Sequence, residues 1–242
     1  MKDGSVHSAG APVPLNAFYG ASIREFLGQE ADSVLGVLAS RAALEFRGSE
    51  REQARAWQAE VPLLQRALAE FRHREGWSIL LEYSLRRLGR RPDAIILGPG
   101  TLVVVEFKMG ATGYNSQDAR QVEDYALCIR DFQSAARGFV IVPLLCAENA
   151  PNTEPQAMTV TDSVAAVIRA NGANLAEVLA RVSEGKLLGR PLSWQEFDLG
   201  GYNPTPTIVE CQRRSNSDPG PLGFADLVLT HPVLGRYGLR LD

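Results

Sequence analysis

The sequence predicts a mixed α/β domain, and three observations carry that expectation. Two apolar runs, 94–97 and 102–105, flank the turn Gly98-Pro99-Gly100 and read as a β-hairpin. Gly138 to Cys146 is a continuous apolar run, as in a strand buried on both faces. Segments with apolar residues at helical spacing precede and follow these strands. Helices, an antiparallel meander, a helix, a strand, a short strand and more helices make a mixed sheet flanked by helices.

Residues 1–14 read as a disordered leader. Ile23, Phe26 and Leu27, then Val34, Leu35, Leu38, Ala42 and Leu44, predict one or two helices over 22–47. Ser49 and Glu52 form a capping-box start for a long helix reaching about Arg74, with Trp57, Val61, Leu64, Leu68 and Phe71 on its apolar stripe. Pro62 falls inside that stripe, so a kink or break is expected there. Trp77 to Leu85 alternates, which predicts Ile79, Leu81, Tyr83 and Leu85 on one strand face and Leu80, Glu82 and Ser84 on the other. Strands follow at 92–98 and 101–108, a loop at 110–115 and a helix over 117–136. A short strand is expected at 157–161, with helices at 162–170 and 174–184. From 186 to 242, Pro and Gly suggest a linker-like, irregular tail.

The chain has 242 residues, 45% hydrophobic and 22% charged, with a formal net charge of −3. That length buries a good core in one domain, and the charge shows no bulk basicity for nucleic acid, so any such partner must be met by local charge. Cys128, Cys146 and Cys211 are odd in number and far apart, which suggests buried thiols in a reducing cytoplasm. No apolar run approaches the roughly 20 residues of a membrane span, and no apolar signal core opens the chain. His7, His73 and His231 lack zinc-ligand spacing, and no Gly-x-Ser-x-Gly elbow or dinucleotide fingerprint occurs. Trp57, Trp77 and Trp194 sit among apolar neighbours and are expected to pack rather than to stack on bases.

The hairpin also carries the chemistry. Asp93 opens its first strand, and Glu106-Phe107-Lys108 closes the second. Alternation puts Glu106 and Lys108 on one face and Phe107 on the other, and the hairpin returns them towards Asp93. Two carboxylates and a lysine at the end of an apolar sheet are costly without a bound cation, and a divalent metal with oxygen ligands is the natural candidate. Such an ion polarises water and a phosphoryl oxygen, and a lysine beside it orients water or stabilises developing charge. Gln121 and Tyr125 lie four apart on the following helix, on one face. Tyr125 reads equally as a packed aromatic with a satisfied hydroxyl. Arg86, Arg87, Arg90 and Arg91 form the one concentrated basic cluster, either a solvated turn or an attractor of phosphate. Glu82 reads either as a site acid or as a partner of Arg86 or Arg90.

The series Gly89-Arg90-Arg91-Pro92-Asp93, Val105-Glu106-Phe107-Lys108 and Gln121-Val122-Glu123-Asp124-Tyr125-Ala126 resembles the PD-(D/E)xK nuclease superfamily, in its RecB-like branch. With Glu82-Tyr83 and Ile141-Val142-Pro143, the stretch from Asn16-Ala17-Phe18-Tyr19 to Pro204-Thr205-Pro206, roughly four-fifths of the chain, is similar to the N-terminal nuclease-like region of prokaryotic Schlafen-group-3-like DNA/RNA helicase proteins. The resemblance implies a restriction-endonuclease-like core with an N-terminal helical extension, residues 15–185 forming the nuclease-like domain and 186–242 leading towards a helicase domain. It implies cleavage of DNA, with RNA as a second candidate, in a Mg²⁺- or Mn²⁺-dependent manner. Asp93, Glu106 and the Phe107 carbonyl would bind metal, with Glu82 as an auxiliary acid, Lys108 serving the attacking water and Gln121 alongside. Arg86, Arg87, Arg90, Arg91 and Tyr125 would meet nucleic acid, and antiphage defence or DNA repair would be the setting. No Gly-x-x-x-x-Gly-Lys-Ser/Thr occurs, so the helicase motor is expected to be a partner or a missing part. The competing expectation is a catalytically silent module of the same fold that binds nucleic acid or docks a helicase.

Overall fold

In the computed structural model, residues 14–45, 50–154, 156–184 and 189–201 are described. The chain divides into Met1–Gly201 and Tyr202–Asp242, and every described residue belongs to the first unit. The expected leader, apart from Pro14, and the expected tail beyond Gly201 lie outside the described residues, as do Cys211 and the Ser49 cap.

The elements run β1 (Tyr19–Ser22), α1 (Ile23–Gly28), α2 (Ala31–Glu45), α3 (Glu50–Ala67), β2 (Ser78–Leu81), β3 (Ala94–Gly98), β4 (Thr101–Lys108), α4 (Ser116–Phe132), β5 (Val140–Ala147), β6 (Val160–Thr161), β7 (Val164–Ala165), β8 (Ile168–Ala170), α5 (Leu175–Glu184) and α6 (Trp194–Leu199). The fold is α/β, with a mixed eight-stranded sheet flanked by helices. The sheet order is β1-β2-β3-β4-β5-β7-β6, with β8 also paired to β5. β1 to β4 are antiparallel neighbours, whereas β5 runs parallel to β4. Parallel neighbours need a crossover, and α4 supplies it. That helix is capped by Asn115, whose side chain accepts from Gln117 N at 2.8 Å.

The hairpin turns as its sequence demands. Gly98 pairs with Thr101, leaving Pro99 and Gly100 as a two-residue connection. Gly100 has φ +74°, which a side chain would strain. The Trp77 ring lies against Gly98 so closely that a Cβ there would sit 2.5 Å from it.

One alternating set of strand side chains, including Ile79, Ile96, Val103, Phe107 and Leu144, joins a buried cluster with α1–α3 and α5. The opposite set, including Leu80, Ile95, Val104 and Leu145, is equally buried, and α4 packs on β4 and β5.

Several expectations need correction. α3 continues through Pro62 without a break. Burying Trp57, Val61, Leu64 and Leu68 at about 1.5–3 kcal/mol each outweighs the ~3 kcal/mol of a mid-helix proline. The strand expected over 77–85 ends at Leu81, because Glu82 turns into the left-handed region at φ +54°. Leu80 and Ile79 are both fully buried, so alternation there does not separate core from solvent. The segment expected to be helix at 162–170 forms β7 and β8, which complete the sheet beside β5. β1 has no strand signature in Tyr-Gly-Ala-Ser and forms by pairing with β2. Within the linker-like region, α6 buries Trp194 and Phe197, and Asp198 accepts from the backbone of Leu15 and Asn16. Trp57, Trp77 and Trp194 are all buried, as are the thiols of Cys128 and Cys146. Among the described residues no helix is long and apolar enough to cross a membrane.

Candidate active site

The ends of three neighbouring strands converge. Glu82 follows β2, Asp93 precedes β3, and Glu106-Phe107-Lys108 ends β4. Antiparallel pairing puts the end of β2 beside the start of β3, and the hairpin returns the end of β4 to the same edge. Asp93 Oδ2 accepts from Phe107 N at 2.6 Å, which ties the opening acid to the middle of the closing triplet. Lys108 Nζ lies 3.0 Å from Glu106 Oε1 and 3.4 Å from Asp118 Oδ1. Gln121, on α4, donates from Nε2 to Glu106 Oε1 and to the Tyr125 hydroxyl, both at 2.7 Å, and its Oε1 accepts from Lys108 at 3.4 Å. Helix α3 closes the other side. Trp57 Nε1 donates to Glu82 Oε1 at 2.9 Å and Gln53 Nε2 to Glu82 Oε2 at 3.2 Å, while Glu60 is buried one turn further on.

These groups carry an electrostatic debt. Burial and then the charges of Glu82 and Glu106 push Glu60 up to about 8. Burial raises Asp93 well above the usual carboxylate range, reinforced by Glu106, Glu60 and Glu82 and only partly relieved by the Phe107 N–H. Burial likewise raises Glu106 despite Lys108, and raises Glu82 despite Trp57, Arg91 and Gln53. Burial alone would lower Lys108, but Glu106 and Asp118 outweigh it and the net shift is upward, so the side chain is an ammonium at neutral pH. Four buried acids and the more exposed Asp118 therefore face Lys108 and Arg91, whose Nε lies 3.5 Å from Glu82 Oε2.

One atom stands apart. Glu106 Oε2 is buried and is the only described side-chain oxygen or nitrogen so placed that lacks a hydrogen-bond partner. A buried carboxylate oxygen left unpaired is costly. A hard cation bound by Glu106, Asp93 and a backbone carbonyl would satisfy it, and oxygen-only donors suit Mg²⁺ or Mn²⁺. Among the described residues no group of three or more His, Cys, Asp or Glu side chains is arranged to hold a metal. Asp93, Glu106 and the Phe107 carbonyl amount to two such side chains and a main-chain oxygen.

Against models of protein families, curated proteins and solved structures, the chain gives no match.

The residues singled out from sequence fall into four groups. Asp93, Glu106, Lys108 and Gln121 are brought together by hydrogen bonds around Glu106 and Phe107. Glu82 pairs with neither Arg86 nor Arg90 but with Arg91, Trp57 and Gln53. The arginine cluster divides. Arg90 and Arg91 line a cleft of about 570 Å³ whose walls include Glu82, Asp93, Gln121 and Tyr125. Arg86 instead bonds Asn16 Oδ1 at 2.9 Å, and Arg87 lies 4.7 Å over the Phe132 ring. Tyr125 is 1% exposed, so its ring is core and only its hydroxyl, with a pKa near 12 from burial and the Glu106 charge, reaches the site.

Sequence reasoning missed Glu60, Gln53, Asp118 and Arg120. Glu60 and Gln53 were detectable. They sit three residues after and four before Trp57, on the stripe of α3 that carries Val61 and Leu64, so polar residues there face inward. Asp118 lies three residues before Gln121 on α4, and Arg120 also lines the cleft, but neither had a distinguishing signal.

Proposed function

We propose that this domain is a metal-dependent nuclease hydrolysing phosphodiester bonds of DNA, with RNA the other candidate substrate, on a restriction-endonuclease-like core with its helical extension at the N-terminus. The observation that carries the reading is the unpartnered, buried Oε2 of Glu106, a residue whose Oε1 pairs with Lys108 and whose neighbour Phe107 donates to Asp93. Asp93, Glu106 and the Phe107 carbonyl would hold the ion, with Glu82 and Glu60 behind them. A divalent cation there would supply Lewis acidity to water and to a phosphoryl oxygen. The remaining work falls to the chain. Lys108, held as an ammonium, is placed to stabilise the charge that grows as a water oxygen bonds phosphorus and the ester oxygen departs. Gln121 fixes Glu106 and Lys108 relative to each other, and Tyr125 fixes Gln121. A helicase domain or subunit is the partner this reading favours, with a cytoplasmic setting in defence or repair.

The test is incubation of the purified chain with labelled single- and double-stranded DNA and RNA in Mg²⁺, Mn²⁺ or EDTA. Metal-dependent product that disappears in Glu106→Gln and Lys108→Ala is expected. Nucleic acid retained without product under either metal would favour the silent binding module instead.

A further inference from the structure

We propose that Arg90 and Arg120 form a two-point clamp that takes consecutive phosphates of a single nucleic-acid strand and leads it over Asp93. This assignment rests on the nuclease reading of the site and adds its substrate form. Arg90 stands on the loop before β3 and Arg120 on α4, so the two come from different elements, yet both line the same cleft with Asp93. Both are exposed, and neither has a side-chain hydrogen bond, ion pair or ring contact with a described residue. Their neighbour Arg91 differs, being committed to Glu82 and to the Phe18 ring at 4.6 Å. Asp124, four residues beyond Arg120, lines the cleft too without pairing to it. Two unengaged guanidiniums above a floor of acids suit an anion that spans the cleft and meets the acids only at one point. A phosphodiester backbone is such an anion.

Size and chemistry narrow the form of the strand. At about 570 Å³ the cleft has the capacity of a small-molecule pocket, whereas a duplex presents a major groove about 12 Å wide on a far broader cylinder. Glu106 is 4% exposed and so lies below the reach of a phosphate held on a duplex surface. A single strand, or a frayed end, can descend. Once inside it finds no aromatic face for its bases among the described lining residues, of which the one aromatic, Tyr125, has a buried ring. Recognition is therefore by phosphates and carries little base preference.

The experiment measures cleavage and, in EDTA, binding of labelled DNA and RNA single strands and the matching DNA duplex. It compares wild type, Arg90→Ala, Arg120→Ala and the control Arg181→Ala on α5. Each clamp variant is expected to weaken single-strand binding about tenfold and to flatten the salt dependence by about 0.7 in log–log slope per phosphate lost. The loss in cleavage should fall on KM and not on kcat. Wild-type cleavage with both variants matching Arg181→Ala would overturn the clamp and leave the nuclease reading intact. Binding that depends on both arginines with no cleavage under either metal would overturn the nuclease reading and keep the clamp. Duplex bound as tightly as single strand would overturn the single-strand assignment.

Discussion

Replacing Glu60 with Gln should change how stability depends on pH, and the structure fixes the direction. Glu60 is 7% exposed and its pKa rises from 4.5 to about 8 by burial and by the charges of Glu82 and Glu106. Between those values the folded protein keeps a proton that the unfolded chain has released. Stability must then fall as pH rises through that window, is highest below about 4.5 for this group, and levels off above about 8. A difference of 3.5 units at about 1.36 kcal/mol each sets a ceiling near 5 kcal/mol, or on the order of 10 °C in melting temperature for a domain this size. Glutamine keeps the shape and removes the titration. Thermal melts in EDTA from pH 5 to 8.5 should show a steep decline for wild type and a shallower one for Glu60→Gln. Adding Mn²⁺ should raise the wild-type melting temperature most at the alkaline end, because ligands must be deprotonated to bind. Parallel wild-type and variant profiles, or a stability that climbs with pH in wild type but not in the variant, would refute the account.

Three further outcomes follow from the same geometry. Lys108→Ala should fold normally and lose about 10²–10³-fold in cleavage rate, checked by single-turnover assays alongside circular dichroism. Gln121→Ala should weaken cleavage more than Tyr125→Phe, since Gln121 contacts Glu106 and Lys108 directly and Tyr125 acts through it; a rate comparison of the two decides this. Glu82→Ala should destabilise the fold by about 2–3 kcal/mol, because Trp57 Nε1 and Gln53 Nε2 lose their acceptor and Arg91 loses an ion pair, and urea melts would reveal it.

Legibility in the sequence tracked how local each determinant was. The hairpin was readable because Pro99-Gly100 and the flanking apolar runs specify it within fifteen residues. So were α4, by its helical periodicity, and β5, by its unbroken apolar run. β1 and β8 were not, since they pair with strands distant in the chain, and two-residue β7, although it also pairs with neighbouring β6, joins the sheet through distant β5. The end of β2 depended on one residue, Glu82, whose left-handed backbone costs ~1–3 kcal/mol and is held by bonds to α3. The Asp93 and Glu106-x-Lys108 part of the candidate site was encoded by strand alternation. Glu60 carried a weaker signal, a lone carboxylate on the core stripe of α3 whose position faces it inward without interrupting the apolar pattern.

The distribution of charge also bears on whether such a domain acts or merely binds. A module that only retains nucleic acid gains from arginines and loses from every carboxylate beneath the strand, because each one repels phosphate. Here Glu60, Glu82, Asp93 and Glu106 are all desolvated with raised pKa values, and among the described residues the cations that pair with them are Lys108 and Arg91. Hydrophobic residues of similar volume would stabilise the same positions at least as well. An acid cluster that costs stability and opposes the ligand's charge has a physical use once a cation is bound between carboxylate and phosphate. The charge pattern thus favours hydrolysis over silent binding. It also implies that strand affinity should rise, not fall, when Mg²⁺ or Mn²⁺ is added to the slow-cleaving Lys108→Ala variant. Affinity unchanged by either ion would remove this preference.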